Sequence, residues 1–402
     1  MASDRATNRA SGGDGPSRSA RSHVERFRVM EVIDAAAARQ ASHGDMISLS
    51  AGQPSTSAPA PVRAAARSML DEHILGYTPT PGIAELRARI AELHETRYGY
   101  EVDPDSVVIT TGSSGGFTAL FLAAFDPGDT VALARPSYPA YRNTLAALGC
   151  EVVEFDPVDT ERFQPSVDDL ERLTAELGAP PDGLVIASPA NPTGAIIGED
   201  ELAAIALWCD EAGTLLVSDE IYHGITFGRR CASAWEFSRN AVVIGSFSKY
   251  FSMTGWRIGW MLVPAGLREA VDVLLGNLSI CAPANSQYAA LGALGPEAEA
   301  ELDGHVERYA ANRDLVVGRL EALEMPLIAQ PDGAFYVYVD VSAHTSDSLK
   351  WCREVLDATG VALTPGVDFD RRGGDTTVRM SFAGDAESIS IALDRLGEFL
   401  SR

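Results

Sequence analysis

The chain lacks the long apolar runs of a membrane protein and the excess of basic residues of a nucleic-acid-binding protein. None of its apolar runs reaches the roughly 18 residues that a membrane-spanning helix needs. Its formal net charge of −24 would repel the phosphates of nucleic acids and of anionic membrane surfaces. We therefore expect neither a nucleic acid nor a membrane among the partners of this chain.

Cysteine and histidine are also scarce, and neither is spaced like the ligands of a metal. The five cysteines are odd in number and form no C-x-x-C pair, so they cannot all pair within one chain. The sequence shows no secretory signal, and we interpret the cysteines as reduced thiols of a cytoplasmic protein. The seven histidines include no pair with metal-ligand spacing, so we expect no bound metal.

A chain of 402 residues is too long to pack around one simple hydrophobic core, which favours two interleaved domains. Residues 1–22 are rich in Ser, Arg and Gly and can bury little apolar surface, which predicts a disordered tail. We expect a large domain over residues 53–290. Residues 23–52 and 291–402 are expected to form a smaller α+β domain.

Short β-branched runs alternate with longer helical patterns between residues 107 and 263. This alternation predicts an α/β fold with a mostly parallel seven-stranded sheet that helices cover on both faces. The predicted strands are Val107–Thr110, Thr130–Ala134, Glu151–Phe155, Leu184–Ser188, Thr214–Ser218, Val242–Ser246 and Arg257–Val263. The predicted helices between them are Phe117–Phe125, Tyr138–Leu148, Val167–Leu177 and Glu199–Ala212.

The pattern changes after Ala289, where a long helical stretch runs to about Leu323. The smaller domain continues with the predicted strands Phe335–Val341, Val361–Thr364 and Thr377–Phe382, the helix Leu349–Thr359 and a closing helix to Leu400. Strands and helices no longer alternate regularly here, which is typical of an α+β domain.

Polar residues follow four strands of the predicted large sheet. They are the Gly112–Gly115 turn, Asn191, Asp219 and the segment Ser246–Lys249. Ligands of open α/β sheets bind beyond the carboxyl ends of the strands. We therefore expect these four segments to meet in one crevice.

Lys249 is the most informative residue of this crevice. It lies among hydroxyl residues in an otherwise apolar segment, and Arg257 follows eight residues later. Burial favours the neutral amine, which is a nucleophile toward carbonyls. The nearby serines and Arg257 suit a doubly charged phosphate. The segment predicts a lysine that forms a Schiff base with pyridoxal phosphate (PLP), and a buried lysine paired with a carboxylate is the alternative.

Three further residues suit the same chemistry, and each has a structural alternative. Asp219 could keep the pyridine nitrogen of PLP protonated, or it could be a helix cap or ion-pair partner. Tyr138 could stack on the pyridine ring, or it could be a core aromatic. Arg379 lies in an apolar strand and needs an anion, which is either the substrate carboxylate or a structural partner.

Weaker signals surround these residues. The serines of the Gly112–Gly115 turn could donate backbone N–H groups to a phosphate at a helix N-terminus, although such a turn is more often a simple cap. Tyr222 and Asn191 could both donate a hydrogen bond to the 3′-oxygen of PLP.

Taken together, the motifs resemble the fold-type I PLP-dependent aminotransferases, class I/II, of the aspartate aminotransferase superfamily. The resemblance extends to actinobacterial members described as aspartate aminotransferases and covers about Arg26 to Leu400. The matching segments are Leu75–Arg87, Ser188–Gly194, Asp219–Tyr222, Ser246–Gly259 and Val378–Phe382. The resemblance implies the PLP-dependent transferase fold type I and PLP as cofactor.

The resemblance also implies roles for individual residues. The implied catalytic residues are Lys249, Asp219 and Tyr222. The implied cofactor-binding residues are Ser113, Ser114, Tyr138, Asn191, Asp219, Tyr222, Ser246, Ser248, Lys249, Arg257 and, across a dimer interface, Tyr77. The implied substrate-binding residues are Gly52, Asn191 and Arg379. A homodimer with shared active sites follows from the family role of Tyr77.

The function that we expect is amino-group transfer between an L-amino acid, such as aspartate, and a 2-oxo acid, such as 2-oxoglutarate, by a ping-pong mechanism. A PLP-dependent lyase or cyclase of specialised metabolism would keep the same residues and is the alternative. A PLP-sensing transcription regulator is disfavoured because the segment before Val24 is too short for a DNA-binding domain. Ser137 stands where many relatives carry a second aromatic, so the side-chain specificity cannot be inherited from the family.

Overall fold

A computed structural model describes residues 19–401, so most of the predicted tail lies outside the described residues. Ala20–Ser22 forms an exposed 3₁₀ turn. The strands are β1 Ile47–Ser48, β2 Val107–Thr110, β3 Thr130–Ala134, β4 Glu151–Phe155, β5 Gly183–Ala187, β6 Leu215–Asp219, β7 Val242–Ser246, β8 Gly259–Leu262, β9 Tyr336–Asp340, β10 Val361–Ala362, β11 Thr364–Pro365 and β12 Thr377–Ser381.

The α-helices cover the sheets and connect their strands. They are α1 Arg28–His43, α2 Ala60–Glu72, α3 Ala84–Tyr98, α4 Gly112–Ala124, α5 Pro139–Leu148, α6 Val167–Leu177, α7 Glu199–Ala212, α8 Ala265–Leu278, α9 Ala284–Leu291, α10 Pro296–Leu320, α11 Ser348–Thr359 and α12 Ala386–Leu400. Within residues 19–401, no helix has both the length and the apolar character that crossing a membrane requires.

The large sheet has seven strands in the order β2-β8-β7-β6-β5-β3-β4. Strand β8 is antiparallel to both of its neighbours, and the remaining pairs are parallel. Alternate residues of each strand face opposite cores: Val108 and Val185 pack into one cluster, and Ile109 and Leu184 pack into the other. The prediction of a mostly parallel seven-stranded α/β sheet is confirmed.

The remaining strands form two small sheets. Strands β11, β12 and β9 form an antiparallel sheet, and β1 pairs in parallel with β10. Helix α1 packs against β10, β11 and α11, so residues before the large sheet join residues that follow it. The domain boundaries at residues 53 and 290 stay a prediction.

Several predicted element boundaries were wrong by a few residues. Strand β8 begins at Gly259 because Arg257 adopts a left-handed backbone conformation (φ 51°) that ends any strand pattern. Helix α4 begins at Gly112 rather than Phe117, since the glycine- and serine-rich run forms its first turn. The stretch over 361–365 splits in two, because β10 and β11 pair with different strands.

Candidate active site

A cavity of about 330 Å³ opens beyond the carboxyl ends of the central parallel strands. Its walls also include residues of α1, of the first turn of α4 and of β12. Eleven of the predicted site residues line it: Gly52, Ser113, Ser114, Tyr138, Asn191, Asp219, Tyr222, Ser248, Lys249, Arg257 and Arg379. The expected convergence of strand ends on one crevice therefore holds, although Ser246 and Tyr77 do not line this cavity.

Lys249 and Lys350 are the only two lysines of the chain, and Lys249 is the one in the cavity. Its Nζ donates a hydrogen bond to the carbonyl oxygen of Gly52 at 2.6 Å. Burial and the positive charge of Arg379 lower the pKa of Lys249 to about 8. The described residues place no carboxylate within ion-pair distance of Lys249, whereas the exposed Lys350 pairs with Glu354 at 3.6 Å. The structure therefore does not have the paired, structural lysine that was the alternative.

Asp219 is the last residue of β6, and its carboxylate is buried. Its Oδ1 accepts a hydrogen bond from the backbone N–H of Ile221 at 3.1 Å, and its Oδ2 accepts one from the Tyr141 hydroxyl. Burial raises the pKa of Asp219 to about 6, and these two hydrogen bonds oppose the rise. No lysine or arginine of the described residues forms an ion pair with it, so the carboxylate remains available to a protonated ring nitrogen.

The N-terminus of α4 lies next to Arg257 and forms a suitable phosphate site. Gly112 has φ 67°, a left-handed conformation that favours glycine, and a Cβ at this position would lie 2.5 Å from Nη2 of Arg257, so the guanidinium would have to move. No side chain caps this helix, which leaves the N–H groups of its first turn, including those of Ser113 and Ser114, and the positive end of its dipole for an anion. Ser248 also lines the cavity.

Ser246 does not line the cavity, and its contact with the cofactor stays a prediction. It is buried at the end of β7, and its Oγ accepts the backbone N–H of Ser248 at 3.0 Å. Thr254, which was not predicted, lines the cavity instead, and its Oγ1 donates to the Ser248 carbonyl oxygen at 2.8 Å. The motif located the segment, but the direction of each hydroxyl depends on the local backbone.

Arg379 lies buried in the middle of β12 and has no carboxylate partner among the described residues. Its Nη1 donates to Oδ1 of Asn191 at 2.8 Å, and its Nη2 donates to the carbonyl oxygen of Ser50 at 2.8 Å. The guanidinium carbon lies 4.3 Å from the ring centroid of Tyr336 and 4.9 Å from that of Phe369. Neutral groups thus orient the cation and leave its charge for an anionic ligand.

The tyrosines of the cavity are held as hydrogen-bond donors. The hydroxyls of Tyr222 and Tyr336 lie 2.8 Å apart. Burial raises the pKa of Tyr138 to about 12 and the pKa of Tyr222 well above its ordinary value. Both side chains therefore stay protonated near neutral pH and can donate to an anionic oxygen.

Tyr77 is exposed at the surface and does not line the cavity of its own chain. Its side chain is 83% exposed, and Ile74, three residues earlier, is 98% exposed. Leu70 and Leu75 of the same stretch are also exposed. This exposure is compatible with the predicted contact across a dimer interface, which stays a prediction.

Among the cavity residues that the sequence did not indicate, two groups bear on the chemistry and on the substrate. Tyr141, the hydrogen-bond donor to Asp219, stands three residues after Tyr138, so both lie on one face of the start of α5. The second group comes from the beginning of α1 and consists of Phe27, Val29, Met30 and Ile33. The i, i+3 and i, i+4 spacing of these apolar residues predicts that they share one face of a helix. Only the folded structure shows that this face lines the cavity.

Comparison with known proteins identifies the family. The family model for aminotransferase class I and II matches residues 44–396. A valine–pyruvate aminotransferase of Mycobacterium tuberculosis is 54% identical over 382 residues, which is 94% of this chain and 97% of that protein. An aspartate aminotransferase of Thermotoga maritima is 32% identical over 89% of this chain and 92% of that protein. A crystal structure of an aminotransferase from Mycobacterium tuberculosis superposes with a TM-score of 0.93 at 53% identity, covering 96% of this chain and 100% of that one.

The chain therefore belongs to the class I and II aminotransferases, has their fold type I, and is a PLP-dependent enzyme of amino-group transfer. The cavity fits this cofactor. It combines a lysine of lowered pKa, an uncapped helix N-terminus beside Arg257, and the buried carboxylate of Asp219. None of the relatives named here is a lyase or cyclase, so the comparisons lend no support to that alternative.

Proposed function

We propose that this aminotransferase takes its amino group from an amino acid with an uncharged, apolar side chain and passes it to a 2-oxo acid such as pyruvate. The observation that carries the proposal is the set of cations in the cavity. Among the described residues, Lys249, Arg257 and Arg379 are the cations that line it. The amine chemistry, the phosphate and the α-carboxylate require one cation each, so this chain offers no further cation to a second substrate carboxylate.

An apolar wall supports the same conclusion. Phe27, Val29, Met30 and Ile33 contribute side chains to the cavity, and Phe27 packs edge-on against Tyr138 with ring centroids 5.7 Å apart. A carboxylate or ammonium group would lose its water against these side chains without gaining a partner. The relative from Mycobacterium tuberculosis is named for valine and pyruvate, an aliphatic donor and an acceptor with one carboxylate.

Lys249 is proposed to carry the proton in each half-reaction. Because burial lowers its pKa to about 8, a fraction of the amine is neutral near neutral pH. The neutral amine can take a proton from the α carbon of the substrate and return it to a neighbouring carbon. PLP, when bound, supplies the electron sink for this proton transfer. Asp219 would keep the ring nitrogen protonated, and Tyr222 and Asn191 would donate to the ring oxygen.

Arg379 is proposed to bind the α-carboxylate that amino acids and 2-oxo acids share. Its guanidinium matches a carboxylate in bidentate fashion, and Asn191 and Ser50 already hold it in place. Gly52 would contribute its backbone to the same carboxylate. One anchor therefore serves the donor and the acceptor in turn, which agrees with a ping-pong mechanism.

We further propose that the active unit is a homodimer in the cytoplasm. The exposed stretch of Leu70, Ile74, Leu75 and Tyr77 is more apolar than an ordinary surface. An open depression of about 700 Å³ adjoins Arg257 on the surface of the same chain. A second copy could fill this depression with its own Tyr77 and reach the phosphate site. All five cysteines are unbridged, which suits a reducing compartment.

A panel of amino donors tests the proposed substrate class. The purified enzyme is loaded with PLP and given valine, leucine, alanine, aspartate or glutamate, with pyruvate or 2-oxoglutarate as acceptor. We expect kcat/KM for valine or leucine to exceed that for aspartate by at least about 10-fold, because a buried unpaired charge is penalised. Preference for aspartate and 2-oxoglutarate would refute the apolar class. Release of ammonia without an acceptor would instead favour the lyase.

A further inference from the structure

The apolar wall of the cavity, formed by Phe27, Val29, Met30 and Ile33, lies at the start of helix α1. The residue at the N-cap position of this helix does not supply the capping hydrogen bond. Helix α1 starts after Phe27, whose side chain makes no capping hydrogen bond. The carboxylate of Asp368 takes that place from a distant part of the chain. Its Oδ1 accepts the N–H of Arg28 at 2.7 Å, and its Oδ2 accepts the N–H of Val29 at 2.7 Å. Both oxygens thus bind the turn that carries the wall residues.

Asp368 is itself held firmly and has no ion-pair partner. It is 2% exposed and ends a 3₁₀ turn, Gly366–Asp368, that packs against β12. The described residues place no lysine or arginine within ion-pair distance of its carboxylate, although Arg142 donates to its backbone oxygen. Burying a carboxylate costs free energy that these two N–H groups offset. The two hydrogen bonds to α1 are therefore the principal polar contacts of this buried side chain.

The same loop also contacts the predicted carboxylate anchor. Phe369, the next residue, stacks against the guanidinium of Arg379 at 4.9 Å. Two consecutive residues therefore connect the group that would bind the α-carboxylate with the helix that forms the apolar wall. This connection helps to fix the wall relative to the carboxylate site, and the distance between the two limits the length of side chain that fits.

The wall residues are arranged to contact a ligand rather than a core. Met30 is 52% exposed and Ile33 is 43% exposed, although both are apolar and both line the cavity. Val29 and Phe27 are more deeply placed on the same turn. An aliphatic substrate side chain would cover the exposed methyl and thioether groups, and this burial favours binding in proportion to the area covered.

We propose that Asp368 is a positioning residue for substrate selection: it fixes the first turn of α1 so that Phe27, Val29, Met30 and Ile33 contact the side chain of a branched aliphatic donor. The inference rests on the proposed function and deepens it. Asp368 does not line the cavity in which the cofactor and the substrate would bind. Its removal should therefore change the selection among donors and leave the common chemistry largely intact.

The experiment compares Asp368→Ala and Asp368→Asn with the wild-type enzyme, all loaded with PLP. Half-reaction rates are measured for alanine, whose methyl group is short, and for valine and leucine. We expect Asp368→Ala to lower the leucine-to-alanine ratio of kcat/KM by about 10-fold, mainly through KM, since losing a helix cap changes helix stability by about a factor of 10 in its equilibrium. Asparagine keeps one acceptor oxygen, so Asp368→Asn should recover part of the ratio.

A matched control is available at Asp385, which caps α12 by accepting the N–H of Ser388 at 2.8 Å. It lies outside the cavity, so Asp385→Ala should lower the melting temperature without changing the donor ratio. Met30→Ala provides a second route, because this exposed side chain can be shortened without loss of the fold. We expect Met30→Ala to lower the leucine-to-alanine ratio of kcat/KM, because the longer leucine side chain loses more apolar contact area than the methyl group of alanine.

The outcomes separate the inference from the proposed function. Equal losses for alanine and leucine in Asp368→Ala, or the same ratio change in Asp385→Ala, would overturn the selection role. If the wild-type enzyme prefers aspartate, the proposed substrate class fails, and the ratio is then taken between aspartate and alanine. Hydrogen–deuterium exchange of the peptide around residues 27–33 completes the test. Unchanged exchange in Asp368→Ala would show that Asp368 does not hold α1.

Discussion

Replacing Arg379 by lysine is the sharpest test of the site. The guanidinium donates through separate nitrogens to Asn191 and to the Ser50 carbonyl oxygen, both at 2.8 Å, and lies over the ring of Tyr336 at 4.3 Å. A lysine ammonium is a compact point charge and cannot make these two contacts from separate, coplanar nitrogens. The Arg379→Lys enzyme therefore retains the positive charge but loses the planar, two-point contact with a carboxylate.

The expected magnitude follows from burial. Arg379 is 4% exposed and has no carboxylate partner among the described residues, so a bound α-carboxylate would be its only strong ionic contact. Weakening a buried, hydrogen-bonded charge pair typically costs about 2–5 kcal/mol, which corresponds to about 30- to 4,000-fold in kcat/KM. Every amino donor and every 2-oxo acid carries the same carboxylate. The loss should therefore be of similar size for all of them.

The assay measures half-reaction rates for alanine, valine and aspartate together with the melting temperature of the same preparation. Arg395→Lys is the matched control, because Arg395 also donates to backbone carbonyl oxygens, those of Asp45 and Thr359, but lies outside the cavity. We expect the control to react normally. A lower melting temperature for Arg379→Lys with unchanged half-reaction rates would refute the anchor and leave Arg379 a structural residue.

Four further expectations concern the cofactor and the assembly. Borohydride should fix PLP to Lys249 and not to Lys350, so Lys249→Ala should lose the reducible visible band while Lys350→Arg keeps it. Burial lowers the pKa of Lys249 to about 8, so the rate of PLP uptake by the cofactor-free enzyme should rise with pH and level off above about pH 8. A rate that levels off only above about pH 10, where ordinary lysines lose their proton, would contradict this expectation. Tyr141→Phe removes a hydrogen bond that lowers the pKa of Asp219, so that pKa should rise and PLP affinity should fall about 5- to 10-fold in a fluorescence titration. Mixing Lys249→Ala with Tyr77→Phe subunits should restore one intact site per heterodimer, and a verified heterodimer without recovered activity would place Tyr77 outside the site.

The large sheet could be predicted because its strands are buried on both faces. Such strands appear as short β-branched runs, and their polar residues cluster where the strands end. Lys249, Asp219 and the first turn of α4 were therefore expected at one crevice, and all three line the cavity. Strand boundaries were less accurate, since they depend on single backbone conformations such as that of Arg257.

Contacts between distant parts of the chain could not be predicted. The carboxylate of Asp368 binds N–H groups 339 and 340 residues earlier, and no local pattern indicates such a pairing. Tyr141 was overlooked because an aromatic residue in a helix more often belongs to a core. The hydrogen bond that Oγ of Ser246 accepts from the N–H of Ser248 is likewise a property of the folded backbone that the motif does not indicate.

The scarcity of lysine has a consequence for chemical labelling. PLP is an aldehyde and condenses with any accessible unprotonated amine, so most proteins acquire stray adducts at surface lysines. This chain has one lysine outside the cavity, Lys350, whose Nζ lies 3.6 Å from a carboxylate oxygen of Glu354. A Lys350→Arg enzyme would carry a single lysine side chain, at its reactive centre. Besides the α-amine of the chain terminus, amine-directed reagents would then find one amine only, so mass measurements on the intact protein would report on occupancy of that centre once the terminal amine is blocked.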